Sequence, residues 1–158
     1  MILYFRNENP LVYYHLHPDS DILPKLCKAS NGLDLPLQHK EIFLPHEVKK
    51  VNLGIKFQIP PHYCGLLLNK SSARTQFNVN VQLGLIDVSY NDYLMVVIQN
   101  MASTPNILES GIAVAQLLII PSQIPRFERN WPPPTSSRGG FGSTGQNFEK
   151  LSTKTDAL

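Results

Sequence analysis

Two segments of this chain carry side chains that could grip a phosphate, and one carboxylate between them could move a proton. Lys70, Ser71, Ser72 and Arg74 follow the apolar run YCGLLL and combine cationic heads with hydroxyl and backbone donors. In isolation such a group is a solvated turn; beside a second donor-rich segment it makes phosphate ligands. That second segment is RGGFGSTG, residues 138 to 145, where four of the nine glycines fall within seven residues. Its dense backbone N–H groups, the hydroxyls of Ser143 and Thr144 and the Arg138 guanidinium are anion-binding parts. Phe141, set among glycines with no core to enter, could stack on a base. The plainer alternative is a flexible tail that binds nothing.

Asp87 is the carboxylate. Between Val48 and Leu108 the only acids are Asp87 and Asp92, and Asp87 ends the apolar run Leu83, Gly84, Leu85, Ile86. A charge expected in so apolar a setting needs a partner or a task, because burying it unpaired is costly. It either caps the turn after a strand or orients and deprotonates a water. Gly140, Gly142 and Gly145 spell GxGxxG, but that fingerprint works only between a strand and a helix, and here it follows PPPTSS near the end of the given sequence. A dinucleotide site is rejected on that ground, and a Walker loop because no GK[ST] occurs. His15 and His17 share one face of an expected strand without an evident third metal ligand, so they read as surface or packed histidines. Cys27 and Cys64 stand 37 residues apart without a CxxC or a Cys/His spacing, the pattern of two reduced thiols.

The elements that must position these groups are short strands. Thirteen prolines, spread from Pro10 to Pro134 across 158 residues, leave little room for long helices. The segments LVYYHL, LDLPL, EIFLP, KVNLGIKFQI, YCGLLL, QFNVNVQL, YLMVVIQN and IAVAQLLIIP lie between turn signals, as does ILYF near the start. Phe77, Val79, Val81 and Leu83 alternate with polar residues, the period of a half-buried strand. Leu94 to Ile98 and Ala113 to Ile120 are continuously apolar, so they are expected to be buried on both faces or to meet a subunit interface. Many close-spaced strands with Pro and Gly turns indicate an all-β sandwich, jelly roll or barrel. Residues 1 to 125 read as that domain. Residues 126 to 145 read as a Pro/Gly-rich arm whose triple proline holds an extended spacer, and residues 146 to 158 as a tail.

Composition narrows the partners. Fourteen basic against twelve acidic residues give +2, too little for binding driven by counterion release, so no nucleic-acid partner is expected. No run reaches the roughly 18 apolar residues of a membrane span, and MILYFRNENP lacks a basic head followed by an apolar core. The expectation is a soluble protein of the cytoplasm or nucleus, not secreted.

Five segments in order resemble the motifs of the homotrimeric dUTP diphosphatases, or dUTPases. They are ASNGLDL (29 to 35), NKSSA (69 to 73), GLIDVSY (84 to 90), GIAVAQL (111 to 117) and RGGFGSTG (138 to 145). The resemblance implies a jelly-roll (β-clip-like) subunit with an extended C-terminal arm, in a homotrimer with three shared active sites. It implies hydrolysis of dUTP to dUMP and diphosphate by water attack on the α-phosphorus. Asp87 would orient that water, and Tyr90 would press on the deoxyribose. Backbone of the hairpin from Val81 to Leu85 would read the uracil, with Gly84, Leu85 and Ile86 lining its site and Phe141 stacked on the ring. Lys70, Ser71, Ser72 and Gln116 of a neighbour would hold phosphates, together with Arg138, Gly140, Ser143 and Thr144 of an arm. Mg²⁺ would be held by the triphosphate and waters, with Asp34 acting through water.

The chain departs from the family's pattern at several positions. Lys70 stands where Arg is usual, keeping the charge but losing the bidentate fork. Asp92 replaces a common Gly, and Ala113 stands where a basic residue is frequent. Ser136 occupies the usual Arg position five residues before the stacking Phe, and Arg138 lies only three before it. Two other functions follow the same resemblance. A nucleotide-binding dUTPase-like regulatory or interaction protein with weak catalysis, engaging another protein through its surface, would fit the altered cationic positions. The related dCTP deaminases place a Glu ten residues after the Asp, where this chain has Val97.

Overall fold

The structure, a computed structural model, describes residues 9–26 and 30–129. The strands in chain order are β1 (Tyr13–Leu16), β2 (Lys25–Leu26), β3 (Gly32–Pro36), β4 (Glu41–Phe43), β5 (Val48–Asn52), β6 (Ile55–Gln58) and β7 (Tyr63–Asn69). After them come the helix α1 (Ser71–Phe77) and β8 (Val79–Val81), β9 (Gly84–Ile86), β10 (Met95–Asn100), β11 (Asn106–Leu108) and β12 (Ala113–Pro121). The chain divides into the units Met1–Ile124 and Pro125–Leu158. The expected arm and tail lie outside the described residues from position 130 onward, as does ILYF.

Every strand pairing among the described residues is antiparallel. The largest sheet runs β2-β3-β12-β7-β9; a three-stranded sheet runs β5-β10-β8, and two ribbons pair β1 with β6 and β4 with β11. Several sheet neighbours, such as β3 with β12, β5 with β10 and β1 with β6, are distant in sequence, which is the jelly-roll arrangement that the resemblance implied. Between the sheets lies one core containing Leu35, Leu37, Phe43, Leu53, Val79, Val96, Ile98, Leu108 and Val114. Asn100 is buried among them with its hydrogen bonds made: its amide donates to the Leu44 and Thr104 carbonyls at 2.9 Å, and its oxygen accepts from Ala102 N–H at 3.0 Å. That satisfaction is what permits a carboxamide in a hydrocarbon core.

Three local expectations change. QFNVNVQL is not one strand, because Phe77 belongs to α1 and Leu83 is 64% exposed; only Val79 and Val81 keep the inward alternation. The residues read as a turn from Ser71 to Arg74 form the helix instead. Its Ala73 is wholly buried, and it stops where Asn78 takes a left-handed φ of 50° and returns its N–H to Ala73 O. Strand β10 is not buried on both faces within the chain: Val96, Ile98 and Asn100 point inward while Met95, Val97 and Gln99 are partly exposed. Its apolar outer positions were the reason that alternation was hidden in sequence. In β12 only Val114, Ala115 and Leu117 are buried.

Candidate active site

The ladder β3-β12-β7 brings together residues far apart in sequence. Gln116 lies opposite Asp34 on one side and Leu68 on the other. Directly paired residues project from the same sheet face, so Asp34 and Gln116 share one. At the end of β7 the chain turns into α1, and Lys70 is pinned there by its N–H, which donates to Val114 O at 2.8 Å. Its ammonium reaches Asp34 Oδ2 at 2.6 Å. Asp34, Lys70 and Gln116, drawn from three separate motifs, thus form one cluster. Ser71 and Ser72 open α1, where the first backbone N–H groups of a helix lack intrahelical partners. Arg74 lies in the last turn of that helix.

The hairpin that carries Asp87 is built by a split in the sheet. Gln82 N–H donates to Val97 O at 2.9 Å, continuing the β8–β10 ladder by one step. Another two residues would set Gly84 opposite Met95, but there the strand leaves β10 and Gly84, Leu85 and Ile86 pair with Leu67, Leu66 and Gly65 of β7. Because ladder bonds alternate sides along a strand, Met95 turns its backbone groups toward the split, as Val97 does toward Gln82. Asn69 Oδ1 accepts the Val81 N–H at 3.0 Å and fixes where the hairpin begins.

Beyond β9 the chain turns at Asp87, whose carbonyl accepts Tyr90 N–H at 3.0 Å. Tyr90 Oη donates to Tyr93 O at 3.0 Å, and burial of the phenol, then the charge of Asp92, push its pKa above the ordinary value of 10. The Asp87 side chain is exposed, which corrects the argument from a buried charge: the apolar run before it ends at the surface, with Leu85 itself 64% exposed.

Register separates the two halves. Continuing the β9 ladder sets Asp87 level with Cys64, six residues along β7 from Lys70, a span of about 20 Å at strand rise. One chain's Asp87 and Lys70 are too far apart to act on one phosphate.

Two clefts flank the hairpin. One of about 450 Å³ is lined by Tyr14, His15, Lys56, Phe57, Ser89 and Tyr90. His15 and His17 both lie beside Tyr93, at 6.5 and 5.0 Å between ring centroids; His15 is exposed and His17 half-buried, so they are surface histidines leaning on an aromatic ring. The other cleft, of about 350 Å³, is lined by Val48, Asn80, Gln82, Leu83, Val97 and Gln99, with no carboxylate among the described residues of its walls. Cys64 is a buried free thiol, and Cys27 lies outside the described residues. So do Arg138, Gly140, Phe141, Ser143 and Thr144. Sequence reading missed Gly32, Asn69 and Met95; the first two lie inside motif segments, and Met95 is marked only by the split in pairing.

Among the described residues no three His, Cys, Asp or Glu side chains cluster as a metal site, and no helix is long and apolar enough to cross a membrane.

The family model of dUTPase matches residues 19–145. A deoxyuridine 5'-triphosphate nucleotidohydrolase of Neisseria meningitidis is 34% identical over 134 residues, covering 80% of this chain and 89% of that one. A dUMP-forming dCTP deaminase of Corynebacterium glutamicum is 30% identical over 125 residues, 77% of this chain and 63% of its own. The dUTPase of Staphylococcus bacteriophage 80alpha, solved with dUPNHPP, superposes with a TM-score of 0.74 at 22% identity, covering 87% of this chain and all of that one. With the match spanning the clustered Asp34, Lys70 and Gln116 and the split hairpin alike, the chain belongs to the dUTPase family.

Proposed function

We propose that this protein hydrolyses dUTP to dUMP and diphosphate, removing dUTP from the cytoplasmic or nuclear nucleotide pool and supplying dUMP. The observation that carries the reading is the pairing split: a strand leaves its sheet between Gln82 and Asp87 and opens a backbone-lined slot directly before a carboxylate. Uracil presents a donor flanked by two acceptors on its edge, a pattern that peptide groups can pair. Backbone from Val81 to Leu85, with Met95 facing it, reads that edge; Gly84, Leu85 and Ile86 line the site, and Tyr90 supports the deoxyribose against a 2′-hydroxyl.

Asp87 accepts a proton from water as the water oxygen bonds to the α-phosphorus. The bond from that phosphorus to the bridging oxygen breaks, and diphosphate leaves with the electron pair. An exposed carboxylate suits this task, since it is open to the water that it must hold. The phosphates are held by Lys70, Ser71, Ser72 and Gln116 of another copy, a division that the separation of about 20 Å supports. A homotrimer with shared sites meets that requirement. From the glycine-rich segment, Arg138, Gly140, Ser143 and Thr144 would supply further phosphate ligands, and Phe141 a ring to stack on the base.

Asp34 has one oxygen on Lys70, and the other has no hydrogen-bond partner among the described residues. So sparse a donor set fits Mg²⁺, which keeps several waters and takes its remaining ligands from substrate phosphates. Asp34 would meet it through water, and the ion when bound would neutralise charge developing on the leaving diphosphate. Pyrophosphate release from dUTP tests the whole reading. Deamination of dCTP is not favoured, because among the described residues Val97 and the walls around it offer no group to carry a proton.

A further inference from the structure

We infer that Gly32 and Asp34 are positioning residues for the phosphate ligands: Gly32 leaves the space in which the Gln116 amide lies, and Asp34 holds the Lys70 ammonium. The inference rests on the reading above, in which Lys70 and Gln116 contact the substrate. Gly32 and Asp34 stand two residues apart in β3 and therefore face the same side of the sheet. A Cβ on Gly32 would stand 2.5 Å from Gln116 Oε1 and 3.2 Å from its Cδ, so the carboxamide occupies the volume that any other residue would fill. Gly32 is not among the residues of positive φ. Its use here is the missing side chain, not backbone freedom.

Asp34 acts on the other ligand. Its carboxylate, 16% exposed, lies 2.6 Å from the Lys70 ammonium, 30% exposed. Lysine carries a point charge on a flexible four-carbon stem, so its direction must be imposed from outside. Asp34 imposes it, while the bond from Lys70 N–H to Val114 O fixes the base of the stem. Gln116 is two residues beyond Val114 in β12 and opposite Asp34 in register, so one short stretch of ladder aims both ligands.

Two variant pairs test this in the full chain. In Gly32→Ala the obstructing atoms belong to the end of a flexible side chain, so the melting temperature is expected to hold while Gln116 swings away. KM for dUTP rises about tenfold, and adding Gln116→Ala changes it by less than about twofold, since coupled residues are not additive. Asp34→Asn likewise raises KM about tenfold but changes it less than about twofold when Lys70 is already Met. Calorimetric affinity for dUPNHPP falls in step with KM. Additive effects in either pair would overturn the inference. So would an Asp34→Asn protein whose magnesium requirement moves while KM does not, or a Gly32→Ala protein with unchanged KM. Wild-type turnover on the same preparation separates the two levels: its absence defeats the functional reading and this inference together, whereas normal turnover with additive variants defeats the inference alone.

Discussion

Asn69 Oδ1 accepts the backbone N–H of Val81 at 3.0 Å, joining the strand that delivers Lys70 to the strand that opens the hairpin. The two residues are twelve apart in sequence, with α1 between them. The bond closes that excursion and sets the point at which the sheet begins to split.

Removing it should cost stability. Val81 is buried, so Asn69→Ala leaves its N–H without a partner, a loss of about 1 to 3 kcal/mol. Denaturant unfolding is expected to report a lower midpoint for Asn69→Ala, and a smaller change for Asn69→Asp, which keeps an acceptor oxygen in place.

Asp87→Asn separates folding from chemistry. The side chain is exposed, so the thermal midpoint is expected to hold. Turnover of dUTP should fall by about 10² to 10⁴, the range of a general base, while calorimetry shows nucleotide binding retained.

Ending the chain before Arg138 deletes the glycine-rich segment with the phosphate and base ligands proposed for it. The truncated protein is expected to keep its mass as a trimer in solution and to lose dUTP turnover. Full activity after truncation would remove that segment from the site.

Tyr90 gives a pH signature with a definite sign. Its pKa is raised in the folded chain, so below the ordinary value of 10 both folded and unfolded forms hold the proton and it adds no pH dependence. Between 10 and its raised value the unfolded chain releases a proton that the folded chain keeps, and stability falls as pH rises. Tyr90→Phe is expected to reduce that alkaline slope in unfolding titrations. The effect is small, because a phenol 37% exposed is screened by solvent.

Much of this was legible in the sequence, for physical reasons that also mark the limits. Strands β7 and β12 were visible because continuous apolar runs bounded by Pro and polar residues have few other uses. The helix α1 was not, since seven residues following a strand and containing two serines carry no helical period to detect. Asp87 was singled out for a burial that it does not have; its place at the end of an apolar run was the useful signal, and the inferred energetics were wrong. The pair of Lys70 with Asp34 spans 36 residues and the contact of Gln116 with Gly32 spans more, so neither leaves a local pattern. They exist only once β12 is laid between β3 and β7. Resemblance to the family supplied Asp34 and Gln116, and the ladder supplied what they do to each other's neighbours.

The central claim is the choice of substrate and bond. Pyrophosphate and ammonia should be measured together on the full chain with Mg²⁺, offering dUTP, dCTP and UTP in turn. Pyrophosphate released from dUTP, far less from UTP, and no ammonia from dCTP is the expected result. Ammonia from dCTP, or dUTP that binds without releasing pyrophosphate, would contradict it.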